Sequence, residues 1–575
     1  MIAGESGITN FGRGHIRLSS VLTTFLLLGS ISPAWGTTYF VAGERADASD
    51  QGPGTTAAPF RTITHAVSGA KAGDVIEVQA GTYRGERIVF RSSGTKAAPV
   101  ILRAAKGSMV EIKGSVTANS GWQMSNGRIF KRPLNNLTPY FSSAAHLTKG
   151  QGLSRNQVFV DGAYIRQVTL TENPEPGTFS IDDSHTMIYL WLPDGGDPNS
   201  GAHNIEVTNT EGPLLTTSGH SFINIEGLHF EHGANQPQGA ALLQIARGEG
   251  SRVDHCSVQF AAGAGISITD GSGEVITDST FNHNGQQGIV AGRITNAQFS
   301  GNETSYNNIF PDKVFDRFWE AGGNKFSMTR SSVVARHIAH DNFGPGIWFD
   351  IDNENALITQ SASYRNTIGI VYEISWNGTI TNNLAYQNNL GIYLFSSAGC
   401  KLYNNTTVDN REAGIAIRGA ERDDGAGHSI LPYSNDVRDN IISTAEAEGP
   451  SAHGIELALS PMPALKGRSL ISLVPNKSDH NLFYGATSKA FFGDGPRDHS
   501  ANLAEWQKDT QLDLHSKWGD PKFIHGLENG KVPDFRTQPD SPARKAGVRM
   551  PEAPNDFRDV PRQTESCDIG AYEES

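Results

Sequence analysis

The sequence predicts an all-β fold in which short coils of chain stack to form a parallel β-solenoid. A Gly-Ile pair recurs at steps of 23, 58, 23, 22 and 23 residues, and a fixed period of this size is typical of stacked repeats. The chain has 575 residues, more than one ordinary core holds, which favours an elongated repeat. Its 63 glycines suit the tight turns between short strands. The glycines that set the period are Gly265, Gly288, Gly346, Gly369, Gly391 and Gly414.

The N-terminus has the pattern of an export signal. A basic segment at 13–17 precedes an apolar stretch at 18–31, and Ala34-Trp35-Gly36 matches the small-x-small pattern of signal peptidase sites. We predict a signal peptide over residues 1–36 and a secreted or periplasmic mature protein. An uncleaved membrane anchor is the alternative, although the apolar stretch is short for a span.

Four further parts are predicted from the pattern of the chain. Residues 37–120 form an N-terminal cap and the first coils, because an amphipathic helix after Pro59 precedes several strand-like runs. The period is lost over 121–213, where hairpin patterns indicate an inserted antiparallel β-domain. The main β-helix occupies 214–485, and 486–575 supply the final coils and a C-terminal cap.

One coil carries surplus residues. The 58-residue step contains an additional coil at Gly323 and about a dozen extra residues within 307–320, longer than the short connections usual between strands. These residues are rich in aromatic and charged side chains. We predict that they overhang the face of the solenoid that carries the acids described next, because long excursions from a repeat are often functional.

Asp350 and Glu373 are the most informative pair in the repeat. They end the segments 346–350 and 369–373, which correspond residue for residue at a spacing of 23. In consecutive coils they lie one above the other on strands roughly 4.8 Å apart. Like charges opposite each other destabilise a sheet, so the pair indicates function. Close carboxyls raise one pKa, which leaves one group as a proton donor and the other ionised.

Strand alternation predicts which side chains of these two coils leave the interior. The side chains predicted to face inward are Ile347, Phe349, Ile351, Ile370, Tyr372 and Ile374. Those predicted to face outward are Trp348, Asp350, Asp352, Val371, Glu373 and Ser375.

Two close carboxyls on an accessible face are the groups that glycosidases use. Retaining enzymes hold them about 5–5.5 Å apart and inverting enzymes roughly 6.5–9.5 Å apart, and neighbouring coils supply the shorter separation. Flat aromatic rings with polar rims suit sugar faces. We therefore predict Asp350 and Glu373 as catalytic. The predicted substrate-binding residues are Trp348, Asp352, Lys325, Glu320, Trp376, Tyr393 and Arg418.

Two other interpretations stay open at this stage. Asp350, Asp352 and Glu373 suit Ca²⁺ as oxygen ligands, and Lys325 is then the proton-abstracting base of a calcium-dependent polysaccharide lyase or uronate epimerase. The acids also fit a solvated face, as in a non-catalytic carbohydrate-binding surface protein. We expect no required cofactor, with Ca²⁺ as the alternative.

Charge narrows the class of partner. The net charge of −13 disfavours nucleic acid and anionic membrane surfaces. A polysaccharide or oligosaccharide is the predicted substrate, with no membrane association after signal cleavage. The three cysteines are odd in number and far apart, so no cysteine-based site is predicted.

The acid-bearing coils resemble the catalytic region of the glycoside hydrolase family 120 β-xylosidases. The likeness lies in the segments 319–325, 340–342, 346–350 and 371–375. It implies a right-handed β-helix with an inserted β-domain, Asp350 as nucleophile and Glu373 as general acid/base. The opening segments 59–63 and 81–83 are shared with polysaccharide lyases, and Trp376-Asn377 departs from the family pattern. Xylose specificity therefore does not carry over.

Overall fold

The structure is a computed structural model. Its described residues are 36–135, 137–138, 141, 146–170, 174–420, 422, 428–429, 431–447, 453–459, 469–470, 474–487, 491–495, 497–527 and 533–574. The predicted signal peptide lies outside them, except for Gly36. Two helices occur in this part of the chain, and neither is long and apolar enough to cross a membrane.

Three sheets of 13 strands each form the body of the molecule, and the chain passes through them in turn, coil after coil. The strands pair in parallel with those of the next coil, except that the third sheet ends in an antiparallel pair.

The first sheet consists of Thr38–Val41, Val75–Val78, Val100–Ala104, Ile223–Glu226, Arg252–Asp254, Val275–Thr277, Gln298–Ser300, Val333–Ala335, Leu357–Thr359, Thr379–Thr381, Lys401–Tyr403, Asp436–Arg438 and Lys477–Asp479. The second consists of Gly81–Arg84, Val110–Lys113, His229–Gly233, Ser257–Ala261, Thr280–Asn282, Glu303–Ser305, Ile338–His340, Ala362–Tyr364, Leu384–Tyr386, Thr406–Val408, Ile441–Ala447, Leu482–Thr487 and Lys517–Trp518. The third consists of Ile88–Val89, Leu215–Thr216, Ala241–Ala246, Ala264–Ser272, Gln287–Thr295, Gly322–Ser327, Pro345–Asp350, Ile368–Glu373, Leu390–Phe395, Ala413–Arg418, His453–Leu457, Phe492–Asp494 and Arg497–Ser500.

Stacked amides hold the corners between the sheets. The residue before each corner asparagine has a left-handed backbone, as Asp341 does at φ 54° and Arg365 at φ 52°. The next residue then points inward, where Asn342 donates from Nδ2 to Asn366 Oδ1 at 2.9 Å. Because each buried amide both donates to and accepts from its neighbours, the corner leaves few polar groups unpaired. This ladder contains Asn284, Asn307, Asn342, Asn366, Asn388 and Asn410.

The alternation predicted for the acid-bearing coils holds within the strands and fails after them. Ile347, Phe349, Ile370 and Tyr372 lie in the central core as predicted, and each is fully buried. Two predictions beyond the strand ends were wrong. Ile351 is 39% exposed and Ser375 is buried. The reason is the corner, since the left-handed residues Ile351, Asp352 and Ile374 turn the chain and end the alternation.

An eight-stranded sheet interrupts the solenoid after its first coils. Adjacent strands within the sheet run antiparallel, except for one parallel pair, Ala163–Gln167 with Thr178–Ile181. The sheet has its own apolar core. In spatial order its strands are Ser115–Thr117, Ile205–Thr208, Val158–Val160, Ala163–Gln167, Thr178–Ile181, Met187–Trp191, Ile129–Pro133 and Gln123–Asn126.

The surplus residues 307–320 lie against this inserted sheet and its loops. Val314–Phe315 pairs antiparallel with Leu147–Lys149. The Asp312 carboxylate accepts a hydrogen bond from the Tyr164 hydroxyl at 2.8 Å and one from the backbone N–H of Gln167 at 2.7 Å. The overhang is therefore fixed by two hydrogen-bonded anchors.

Short elements close the two ends of the stack. The predicted N-terminal helix is present as Ile63–Ser68, with Thr62 as its N-cap. The second helix, Leu503–Thr510, buries Trp506 completely. Two small pairs complete the described strands, Phe523–His525 with Asp534–Thr537 and His428–Ser429 with Ser469–Leu470. The three cysteines are free and buried.

Candidate active site

The third sheet places the two predicted catalytic acids side by side. Asp350 is the direct register partner of Glu373 on the next strand, and neighbouring strands lie about 4.8 Å apart. Neither residue belongs to the central core. Each ends its strand on the outer face, immediately before the corner that bends the chain away.

Lys325 neutralises one acid of the pair. Its Nζ lies 2.9 Å from Asp350 Oδ2 and 4.0 Å from Glu320 Oε1. The same ammonium lies 4.2 Å from the centre of the Trp348 ring, a favourable cation–π position. The Asp350 side chain is only 9% exposed, so Lys325 supplies a charged partner for a carboxyl that has little contact with solvent.

Glu373 has the opposite environment. Burial, and next the negative charge of Asp350, raise the pKa of Glu373 to about 7. The Trp348 Nε1–H donates to Glu373 Oε2 at 3.1 Å, and an Arg422 nitrogen lies 3.7 Å from Glu373 Oε1. The pair therefore combines an acid held by an ammonium group with an acid whose pKa is raised towards neutral pH.

A cleft of about 530 Å³ opens next to Asp350. On the two preceding strands, Gly292 and Ser327 occupy the register position of Asp350. Glycine has no side chain and serine a small one, so the space beside Asp350 stays open. Glu320, at the end of the overhang, and Lys325 also line the cleft. The volume is in the range of small-ligand pockets.

The structure brings only some of the other predicted site residues to this cleft. Trp348 and Tyr393 lie together in an apolar cluster on the outer face, one column from the acids. The Arg418 guanidinium is held by the buried Glu456 carboxylate at 2.6 and 2.8 Å. Trp376 lies past the corner, in register with Glu354.

Asp352 is tied into a different ion pair. Both of its carboxylate oxygens accept from Arg330 Nη2, at 2.8 and 2.9 Å. Among the described residues, the groups whose ligand atoms converge within 4.8 Å do not include the trio Asp350, Asp352 and Glu373. The calcium alternative would therefore require Asp352 to leave Arg330.

Several contributors to the site were not predicted from the sequence. Arg422 reaches Glu373 from an irregular segment with no periodic signal. Val290 and Gly292 line the cleft from the coil before Lys325, and their outward direction could have been derived from their register with Lys325 and Ser327. The ring of His146, from the loop before Leu147–Lys149, lies 4.4 Å from the ring of Trp319 in the overhang; only tertiary contacts show this pairing.

Comparisons with known proteins support the architecture. A family model described as a right-handed beta helix region matches residues 241–375. The fold is a right-handed parallel β-helix. Models of the periplasmic copper-binding protein NosD and of a protein family of unknown function match residues 317–457 and 46–88.

Similarity to solved structures extends over most of the β-helix. XylC in complex with xylose superposes with a TM-score of 0.68 at 17% identity, covering 94% of this chain and 98% of the other. Pectate lyase Pel9A has a TM-score of 0.43 at 12% identity, covering 94% and 96%. The XylC superposition is evidence for the fold alone.

Curated relatives match over short segments. The chain is 37% identical over 75 residues to the uncharacterized protein YwoF of Bacillus subtilis, which is 13% of this chain and 16% of YwoF. It is 44% identical over 69 residues to pectate lyase PEL9 of Emericella nidulans, which is 12% of this chain and 17% of PEL9. The matched segments span about a sixth of the length of these relatives.

Proposed function

We propose that this β-helix protein is a retaining glycoside hydrolase acting on a polysaccharide or oligosaccharide, in which Asp350 is the nucleophile and Glu373 the general acid/base. The observation that carries the proposal is the asymmetry of the stacked acids. Asp350 is paired with Lys325 at 2.9 Å, whereas the pKa of Glu373 is raised to about 7 by burial and by Asp350. Neighbouring strands give the short separation that retention requires.

In the first step, an Asp350 carboxylate oxygen attacks the anomeric carbon of a sugar bound in the cleft. The bond from that carbon to the leaving oxygen breaks, and Glu373 transfers its proton to this oxygen. The products are a glycosyl ester on Asp350 and a free hydroxyl on the leaving group.

In the second step, a water oxygen attacks the same carbon while the Glu373 carboxylate accepts a proton from the water. The ester bond to Asp350 breaks, so both carboxyls return to their starting states. Two displacements give net retention of configuration. Lys325 holds Asp350 in place through both steps, and the Trp348 Nε1–H orients Glu373 by its hydrogen bond.

The remaining predicted binding residues have graded roles in this proposal. Glu320 and Lys325 line the cleft, so they contact the sugar directly. Trp348 and Tyr393 supply apolar surface next to the acids. The other three act indirectly. Asp352 is paired with Arg330, Trp376 lies past the corner, and Arg418 is held by Glu456. We also propose a secreted or periplasmic location, on the basis of the predicted signal peptide.

Covalent trapping tests the proposal. The protein is screened against a panel of aryl glycosides, and the best sugar is supplied as its 2-deoxy-2-fluoro glycosyl fluoride, which slows the second step. Mass spectrometry should find one added glycosyl group on the peptide that contains Asp350. Turnover by Asp350→Asn at the wild-type rate, or a label on another residue, would refute the assignment.

A matched control comes from the next acid along the chain. Asp352→Asn removes an equal charge two residues away, and it should label normally at Asp350. Azide should restore turnover to Glu373→Ala with a leaving group that needs no protonation, and the product should be a glycosyl azide of retained configuration. Inverted product would exclude the two-step mechanism.

A calcium-dependent lyase or epimerase is the second candidate. One observation favours it: a short segment is 44% identical to a pectate lyase. It requires Lys325 to act as the base, whereas the Lys325 Nζ contacts Asp350 at 2.9 Å and the Trp348 ring at 4.2 Å. Loss of activity in chelator, with ultraviolet-absorbing unsaturated uronate products, would identify a lyase. No turnover of any substrate, with glycan binding intact in both acid-to-amide variants, would identify a binding protein.

A further inference from the structure

Three metal-ligating side chains converge near the last coils, far along the chain from the acid pair. Asp479 ends the last strand of the first sheet, His480 is the corner residue after it, and His515 precedes the last strand of the second sheet. One ligand atom from each lies within 4.8 Å of the others. Asp479 Oδ2 is 2.7 Å from His515 Nδ1 and 3.8 Å from His480 Nε2.

The backbone fixes the orientation of the carboxylate. The N–H groups of His480 and His515 both donate to Asp479 Oδ1, at 2.9 and 2.7 Å. Oδ2 is thereby directed towards the two imidazoles. The rings lie nearly parallel, at an interplanar angle of 11° with centres 5.0 Å apart, so a nitrogen of each faces the same oxygen.

The charges at this cluster suit a cation. One carboxylate oxygen and two imidazole nitrogens are donor types that divalent transition metals bind. Arg438, the register partner of Asp479, is paired with Asp436 at 2.7 Å.

We propose that Asp479, His480 and His515 form a binding site for a divalent transition metal of the zinc class. Two imidazoles and one carboxylate are a preferred donor set for this class. Metal–ligand bonds of about 2.0–2.2 Å place tetrahedral donors roughly 3.4 Å apart, between the 2.7 and 3.8 Å separations found here. Water completes the coordination at the exposed side. His515 gives up its Nδ1 proton to solvent and takes one up at Nε2, so a neutral imidazole coordinates through Nδ1.

The site would join two separate turns at the end of the stack. His515 lies 36 residues after Asp479, beyond the capping helix Leu503–Thr510. A bound metal therefore links the last coil to the segment that follows the cap, and binding to the folded state alone stabilises it.

Zinc titration of the full chain without a polyhistidine tag tests this proposal. After treatment with chelator and dialysis, zinc binding is measured by competition with a chromophoric chelator, and unfolding is followed with and without zinc. The wild type should bind zinc and gain thermal stability. His515→Ala and His480→Ala should weaken binding by at least the roughly 10–100-fold that even outer hydrogen-bond partners contribute.

Two histidine variants serve as controls. His525→Ala removes an exposed histidine outside any cluster and should bind as the wild type does. His255→Ala removes the histidine of the other convergent group, Asp254, His255 and Asp278, in which Asp254 is already held by Arg252. Zinc binding lost in His255→Ala but kept in His515→Ala, or equal in all variants, would overturn the assignment. His515 is exposed, so its variant tests binding without removing buried packing.

Discussion

Two carboxylates outside the central core, Glu206 and Glu373, have opposite electrostatic surroundings. Glu206, at the junction of the inserted sheet and the solenoid, is 5% exposed. Its oxygens contact Arg84 at 2.9 Å, His232 at 2.9 Å and the Ser115 hydroxyl at 2.8 Å. Burial opposes ionisation, but these donors hold the pKa of Glu206 well below its ordinary range. Glu373 has a side chain 16% exposed and a pKa raised to about 7.

The difference is the one expected between a structural carboxylate and the proposed acid/base. At Glu206, cations and hydroxyls satisfy the charge, so the group anchors the inserted sheet in place. At Glu373, one of the two register partners is another acid, Asp350, and like charges in register destabilise a sheet. Perturbed acids of this kind concentrate at functional sites. Substitutions at the two positions should therefore affect different properties of the protein.

The largest expected effect is on catalysis. Asp350→Asn should lower kcat/KM on the order of 10⁴-fold or more, as loss of a nucleophile does, and Glu373→Gln about 10²–10⁴-fold, as loss of an acid/base does. Steady-state kinetics on an aryl glycoside measure both. Thermal unfolding should show that both variants remain folded. If unfolding accounted for the loss of activity, Glu373 would affect stability as Glu206 does, and the predicted difference between the two carboxylates would be wrong.

The next effect is on stability. Glu206→Gln should lower the free energy of unfolding by about 3–5 kcal/mol, because it leaves the half-buried Arg84 and the buried His232 without their shared anion. The kcat of the folded fraction should be unchanged. Urea unfolding, with activity normalised to folded protein, gives both values. A stable but inactive Glu206→Gln would place Glu206 in the chemistry and contradict the comparison.

The two carboxylates should also give opposite slopes of stability against pH. The raised pKa of Glu373 means that its contribution is full below 4.5, the ordinary value, and is lost as pH rises towards about 7. The lowered pKa of Glu206 means that its contribution is full above 4.5 and is lost as pH falls below it. Unfolding free energies measured across this range should lose the first slope in Glu373→Gln and the second in Glu206→Gln.

The pH dependence of activity should report the same raised pKa of Glu373. Because Glu373 must carry a proton in the first step, kcat/KM should fall as pH rises above about 7. In Asp350→Asn the like charge is gone, so the pKa of Glu373, followed by carboxyl NMR, should fall. An unchanged pKa would show that Asp350 is not a source of the shift.

The smallest effect is expected at Asp352. Its ion pair with Arg330 is about a third exposed, and exposed pairs contribute roughly 0–1 kcal/mol. Asp352→Asn should therefore change stability by less than about 1 kcal/mol and leave kcat/KM close to that of the wild type. Calorimetry and kinetics on the same preparation measure both. A large loss of activity, restored by added Ca²⁺, would instead support the calcium alternative.

The 23-residue period allowed much of the fold to be predicted. It predicted the stacking of coils, the register of Asp350 with Glu373, and the inward direction of Ile347 and Phe349. The prediction failed at Ile351 and Ser375 because alternation applies to extended strands, and left-handed corner residues reset the direction of the chain. Alternation alone does not show where a corner begins; the repeat of Asn353, Ser375 and Ser397 at steps of 22 residues marks this one.

By itself, the sequence determined the parallel β-helix and the pairing of the two acids, because a constant repeat length converts spacing along the chain into adjacency across strands. Only the tertiary structure decided the asymmetry of the pair. Lys325 comes from the preceding coil, Arg422 from an irregular segment and Glu320 from an overhang that the inserted sheet holds in place. Charge and burial at Glu373 depend on these through-space neighbours, and their positions follow from packing rather than from periodicity.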